Sequence, residues 1–228
     1  MKQRRVGALV PARGAGEAMT LPVIVIGSGG HAAVVIETLH RCEIRIIGHT
    51  DADAGKEAGE FPGVPLLGDD DAVLEYAPDS VRLVNGIGSV AEAGTRRRVF
   101  EHFRARGYRF ARLVHPSAVV AADVVLGEGV QVMAGAIVQP GCRVGANTIL
   151  NTGAMVDHHC VIGDHTHVAP GAVLAGNVKT GSGVHIGAGA TVIQNVDVGA
   201  DSVIAAGAVV VDPVPAATKV AGVPARSM

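Results

Sequence analysis

Tryptophan is absent from this 228-residue chain, and its rings amount to two Tyr and four Phe. Without aromatic bulk, small and β-branched side chains must fill the interior, which suits a narrow, regularly coiled core better than a broad sandwich. An excess of one charge is missing too. Lys and Arg number 19 against 21 Asp and Glu, for a formal net charge of −2. With no basic domain to track a phosphate backbone, a nucleic-acid partner is not expected. Cysteine is scarce: Cys42, Cys142 and Cys160 have neither an even count nor a metal spacing, so a reducing cytoplasm is the simplest home. No apolar run approaches the ~20 residues of a spanning helix. Glycine, at 31 residues, and apolar residues, at 48%, are abundant. The chain can therefore bury a core and turn often.

Residues 1–18 (MKQRRVGALVPARGAGEA) are basic and rich in Gly and Ala. Gly7 to Pro11 is too short for the ~7–15-residue apolar core of a signal peptide. This stretch reads as a disordered leader, with Met19 as a plausible start.

A β-glycine loop-α-β unit follows. Pro22 to Ile26 is an apolar run ending in Gly27-Ser28-Gly29-Gly30-His31, and Val34, Val35, Ile36 and Leu39 mark a helix to about Arg41. A second strand, Ile44 to Ile47, closes at Gly48-His49-Thr50-Asp51-Ala52-Asp53. Glycines in such a loop let a ligand approach backbone amides at a helix N-terminus. Gly27-x-Gly29-x-x-Ala32 with Asp51 about 20 residues on also meets a loose dinucleotide fingerprint, which alone does not establish NAD. Val64 to Leu67 and Val81 to Val84 read as strands, Asp71 to Tyr76 as a helical turn, and Glu92 to Arg106 as a helix burying Val99 and Phe103. Arg96, Arg97 and Arg98 read as a solvated face, since three consecutive residues cannot share one side of a helix. The boundary falls between Arg109 and Leu113.

From Val114 to Val210 the sequence can be cut every six residues without an insertion. Sixteen of the seventeen lead positions are Val, Leu or Ile, and only Thr180 departs. A small or branched residue, such as Ala136, Cys142, Ala154, Cys160 or Ala172, follows four places later. Two inward positions per hexad describe a three-sided solenoid, eighteen residues to the coil. Cys142 and Cys160 then share one interior column and are neither ligands nor nucleophiles. The position three after each lead is Gly, Asn, Asp or His from Gly135 to Gly207, the residues most tolerant of positive φ. His159 and His165 are therefore corners first. His158 sits one place earlier, where Ala, Pro and Ser stand elsewhere and nothing demands an imidazole. Eighteen residues on is Gly176, which leaves room beside it and exposes a backbone amide. His167 and His185 should stack on neighbouring coils.

GSGGHA (Gly27 to Ala32), TDAD (Thr50 to Asp53), NTGAMVDHHCVIGDHTHVAPGAVLAGNV (Asn151 to Val178) and the terminal GVPAR together resemble the bacterial nucleotide-sugar N-acetyltransferases, relatives of the sialic acid O-acetyltransferases. The resemblance covers roughly Leu21 to Met228. It implies an α/β Rossmann-like subdomain over residues 19–111 that binds a nucleotide sugar, then a left-handed parallel β-helix over residues 112–228. It implies acetyl-CoA as co-substrate, no metal, and a cytoplasmic homotrimer with active sites between subunits. His158 falls on the general base, Gly176 on the amide that holds the thioester carbonyl, and His159 on the base's usual Glu partner. That departure leaves the orienting role to Asp157 or to no side chain. His167, Gly176, Ala188 and Ala206 fall on the acetyl-CoA site; Gly29, Gly30, His31, Asp51 and Asp53 fall on the sugar-nucleotide site. The expected reaction is acetyl transfer to the amino group of a nucleotide-linked 4-amino-deoxy sugar for surface glycan synthesis.

Other chemistries fit less of the chain. O-acetylation of a sugar needs the same base. A zinc carbonic anhydrase on this coil needs three convergent neutral histidines, whereas most of these occupy corner or column slots. A nucleotide-sugar sensor would bind no acetyl-CoA, and an NAD-dependent oxidoreductase has no use for the coil.

Overall fold

The computed structural model describes residues 21–52, 61–89 and 94–228. The leader, Met19 and Asp53 lie outside the described residues. Strands β1 (Val23–Ile26), β2 (Ile46–Thr50), β3 (Leu66–Gly68) and β4 (Arg82–Asn85) form a parallel sheet in the order β3-β2-β1-β4. All four residues of β1 are buried, because a central parallel strand is covered on both faces and reads as a continuous apolar run. Helix α1 (Gly30–Arg41) follows β1 and buries Ala32, Val35, Ile36 and Leu39 against the sheet. Its last turn carries His40 and Arg41, the latter a cation placed where the helix dipole favours it.

Helix α2 (Gly94–Ala105) corrects one expectation. Its buried stripe is Arg96, Phe100 and Phe103, with Val99 only half-buried. Arg96 is not solvated; its guanidinium bonds to three backbone carbonyls, those of Asn85, Ile87 and Asn147. Arg98 is exposed, and Arg97 pairs with Asp201 at 3.0 Å. A charged side chain buries where carbonyls converge to meet it, and hydropathy does not show that.

From Leu113 the chain winds into a parallel β-helix of two-residue strands. Neighbours in each sheet lie eighteen residues apart, as in Ile149 with His167 and His167 with His185. Three faces result. The first runs from Leu113–Val114 through His167–Val168 to Val203–Ile204; the second from Val119–Val120 through Met155–Val156 to Val209–Val210; the third from Val125–Leu126 through Val161–Ile162 to Asp197–Val198. Lead residues such as Leu150, Val156, Leu174, Ile186 and Val192 form one buried column core with Ala136, Cys142, Ala154, Cys160 and Ala172.

The interior also explains the exceptions. The two thiols donate to backbone carbonyls, Cys142 to Asp157 at 3.0 Å and Cys160 to Ala175 at 3.2 Å. Thr180, the one polar lead, accepts the amide of Gly163 through its hydroxyl at 3.0 Å. Corners at Asn147, His159, His165, Asn177, Asn195 and Asp201 have φ between 55° and 62°. After Val210 the repeat shortens: Val203 pairs with Lys219, and Ala217 takes the left-handed corner at φ 53°. A short antiparallel pairing of Lys219–Ala221 with Arg226–Ser227 ends the coil.

The α/β subdomain covers the first face. Leu113, Gln131, Ile149 and His167, which point outward there, are all buried, and Leu113 and Met133 share a core with α1 and β1.

Candidate active site

His158 lies at the corner between the second and third faces, exposed. A β-carbon built on Gly176, one coil on, would stand 2.6 Å from both Cε1 and Nε2 of its ring. The imidazole therefore rests against the glycine backbone. The Gly176 amide has no acceptor among the described residues, so a donor without a partner lies beside the imidazole. His159 turns the other way: a β-carbon on Gly141, one coil back, would lie 2.8 Å from its Cδ2. The two rings meet edge to face, with Nδ1 of His158 3.0 Å from Nδ1 of His159. Asp157 does not orient the ring. Its Oδ1 accepts the main-chain N–H of His158 at 2.7 Å.

The glycine loop opens at the N-terminus of α1. Gly27 has φ 101° and packs on Ile87, while beta-carbons on Gly29 or Gly30 would meet nothing within 4 Å. No acidic residue occupies the first turn of α1, so its amides and dipole face open space, suited to an anionic ligand. Asp51 accepts a hydrogen bond from Ser28 across the loop. His31 is held by Gln131 on the coil, Nε2 to Oε1 at 2.8 Å, and Gln131 Nε2 donates to the carbonyl of Asn85. The fixed amide assigns the tautomer: His31 donates from Nε2 and keeps a lone pair on Nδ1. Burial, with Arg96 nearby, pushes its pKa down to about 4.

His167 is buried, and its pKa falls to about 3, chiefly through desolvation. Its Nδ1 reaches the carbonyl and hydroxyl of Ser89, both at 2.9 Å, and its Nε2 reaches Asn151 Nδ2 at 3.0 Å. A neutral ring donating to Ser89 and accepting from Asn151 satisfies all three. His185 stacks on it at 5.1 Å, edge to face. His165 is a corner and also an interdomain contact, bonded to Asn147 at 3.0 Å and packed on Phe100.

Sequence reasoning missed Gln131, Asn85, Asn147, Arg96 and Ser89, which join the loop to the coil. One signal was present. Outward positions on the first face read Leu, Gln, Ile, His, His and Val, with no Lys, Arg, Asp or Glu, whereas the uncovered third face shows Val, Arg, Val, Lys and Asp.

Ala188 and Ala206 are exposed at the corner between the first and second faces, in the column of Pro170. A single chain brings Gly176 to His158 but not these alanines, which occupy a different corner. The glycine loop is tied to the first face, opposite the His158 corner. Among the described residues no three His, Cys, Asp or Glu side chains converge to hold a metal ion, so the anhydrase alternative finds no ligand set within the described chain.

An α/β nucleotide-type loop domain seated on a hexapeptide coil with a corner histidine defines a hexapeptide-repeat acyltransferase. Residues 22–103 match the PglD N-terminal domain family, and residues 123–157 and 141–176 match the bacterial transferase hexapeptide family. The chain is 38% identical to a GDP-perosamine N-acetyltransferase from Caulobacter crescentus, solved as a histidine-to-alanine mutant with CoA and GDP-perosamine. That match covers 92% of this chain and 97% of the other, with a TM-score of 0.85. It is 34% identical to the acetyltransferase domain of PglB from Neisseria gonorrhoeae FA1090 in complex with acetyl coenzyme A, over 91% of this chain and 98% of that one, with a TM-score of 0.82. A search of curated proteins returns no match. The chain belongs to the bacterial nucleotide-sugar N-acetyltransferase family.

Proposed function

We propose that this chain moves an acetyl group from acetyl-CoA to the amino group of a nucleotide-linked 4-amino-deoxy sugar, for surface glycan synthesis. The observation that carries the reading is the exposed His158 imidazole resting against Gly176, whose amide is free. A neutral amine attacks the thioester carbonyl, and the carbon–nitrogen bond forms as His158 Nε2 takes the amine's proton. The Gly176 N–H stabilises the oxyanion. The carbon–sulfur bond then breaks, and the thiolate receives that proton to leave as CoA. No covalent enzyme intermediate is needed. The sugar nucleotide lies at Gly29, Gly30, His31, Asp51 and Asp53, within the 19–111 domain; the 112–228 domain supplies the transfer chemistry.

The site is completed by a homotrimer. The second face presents Val119, Ile137, Met155, Val173, Thr191 and Val209 outward, with Val119 58% and Met155 42% exposed, a stripe that is apolar but for one Thr, of the kind that marks an interface. Its two edges are the His158 corner and the Ala188 and Ala206 corner. Three such faces around a threefold axis bring the first corner of one subunit to the second corner of its neighbour, with acetyl-CoA between them and His167 close by. The three free thiols fit a cytoplasmic enzyme.

The deciding experiment is acetyl-CoA consumption against a panel of UDP- and GDP-linked 4-amino-6-deoxy sugars, with hydroxyl analogues as controls and the product identified by mass. Acetylated amine with only some nucleotides supports the proposal. Acetylation confined to the hydroxyl analogues, or none at all, overturns it.

A further inference from the structure

We infer that His158 and His159 form a two-histidine dyad in which His159 is the positioning residue, its Nδ1 lone pair accepting the Nδ1–H of His158. Two observations carry this. The ring nitrogens stand 3.0 Å apart, and a contact that short between two nitrogens requires one hydrogen between them. The rings are also held independently, His158 against Gly176 on the next coil and His159 against Gly141 on the previous one. The left-handed corner at His159, φ 59°, aims its ring back along the coil and puts Nδ1 opposite that of its neighbour. The donor is assigned from the proposed function: a base that receives a proton at Nε2 must keep its own hydrogen on Nδ1.

The chemistry differs from support by a carboxylate. A carboxylate facing His158 would favour the imidazolium and raise the base's affinity for a proton. His159 supplies direction without a full negative charge. The hydrogen bond at Nδ1 then steadies the positive charge that develops on His158 during attack. The charged side chains on this corner are Asp157, which accepts the His158 main-chain N–H, and Asp123, which accepts the Gly141 amide at 2.9 Å. Asn177 and Asn195, on the coils beyond, are neutral and bond to one another at 2.9 Å.

The test uses the full chain with ¹⁵N-histidine, its signals assigned through the variants His158→Asn and His159→Phe. The expected spectrum near neutral pH gives His158 a protonated Nδ1 and a lone pair on Nε2, and gives His159 the reverse. In His159→Phe that preference of His158 disappears and kcat falls about tenfold, the scale of one oriented hydrogen bond. In His159→Glu, which restores an acceptor, kcat recovers above that of His159→Phe, while the acid limb of the pH profile moves up by about one pH unit from that of the wild type, the direction an opposite charge imposes. A His158 ring protonated at Nε2, spectra unchanged in His159→Phe, or superimposable acid limbs for the wild type and His159→Glu would each overturn the dyad. The spectrum needs no substrate. A dyad seen in an enzyme that acetylates nothing defeats the proposed function and leaves the hydrogen bond standing.

Discussion

Gly176 sits one coil beyond His158 with no room for a side chain: a β-carbon there would fall 2.6 Å from the ring's Cε1 and Nε2. The obstructed atoms belong to an exposed side chain at the end of a rotatable bond, so Gly176→Ala should turn the imidazole aside rather than unfold the coil. Misplacing a reacting group by about 1 Å costs on the order of 10²-fold. A kcat reduced to that extent with an unfolding midpoint near that of the wild type is the expected result. Equal activity in Gly176→Ala would show that the ring does not work from this position.

Replacing His158 itself removes the proton acceptor and leaves every backbone bond of the corner in place. General base catalysis typically contributes ~10²–10⁴-fold, so His158→Ala should lose about that much in kcat. Steady-state kinetics on the acetylated sugar identified above measures it. An unchanged rate would end the assignment of His158 as the base.

Arg96 is a different case, because its role is to hold the two domains together. It reaches the carbonyls of Asn85 and Ile87 at 2.8 and 2.7 Å, and that of Asn147 on the coil at 3.2 Å. Burial lowers its pKa to about 9, which still leaves it charged at neutrality. Hydrogen bonds to a charged group are each worth about 1.5–3 kcal/mol, and orphaned carbonyls add to the loss. Arg96→Ala should therefore destabilise by at least about 3 kcal/mol in urea unfolding. Exposed Arg98, which among the described residues bonds to Thr95 at 2.9 Å, should tolerate Ala within ~0.5 kcal/mol.

That contrast also shows where the sequence was legible. The hexapeptide repeat announces itself because each coil repeats the same two inward slots, and a six-residue period needs no knowledge of distant partners. The same register separates His158, in a free slot, from the corners His159 and His165. Arg96 was misread because its partners, Asn85 and Asn147, come from a strand end and a coil corner far along the chain. Nothing local in a run of three arginines says which one will meet them. The shortened last coil was equally hidden, since Ala217 adopts a left-handed corner without the Gly or Asn that would signal it. The pairing of His158 with His159 needed both flanking coils, because Gly141 and Gly176 aim the two rings.

The buried histidines make stability depend on pH in a definite direction. His31 and His167 have folded pKa values of about 4 and about 3, below the ordinary 6.5. Between those values and 6.5 the unfolded chain binds protons that the folded chain refuses. Stability therefore rises with pH in this window and is lost as pH falls below 6.5, by about tenfold in the folding equilibrium per pH unit for each such group. Urea midpoints should drop steadily from pH 6.5 to 4.5. His167→Asn should flatten that dependence by one proton; an undiminished slope would mean that His167 is not held neutral.

Met155 tests the proposed trimer. Its side chain is 42% exposed at the middle of the second face, flanked along the stripe by Ile137 and Val173. It takes no part in the buried column core, so a carboxylate there costs the isolated coil little. Three copies brought together at an apolar seam would desolvate three like charges with no partner, a cost of several kcal/mol each. Met155→Glu should therefore run as a monomer in sedimentation velocity where the wild type runs as a trimer. Acetyl transfer should fall with it, because the His158 corner loses the neighbouring Ala188 and Ala206 corner. Nucleotide-sugar binding should survive, since the glycine loop, His31 and Gln131 belong to one chain. A Met155→Glu protein that remains trimeric would move the interface off this face, and a fully active monomer would show that one chain completes the site alone.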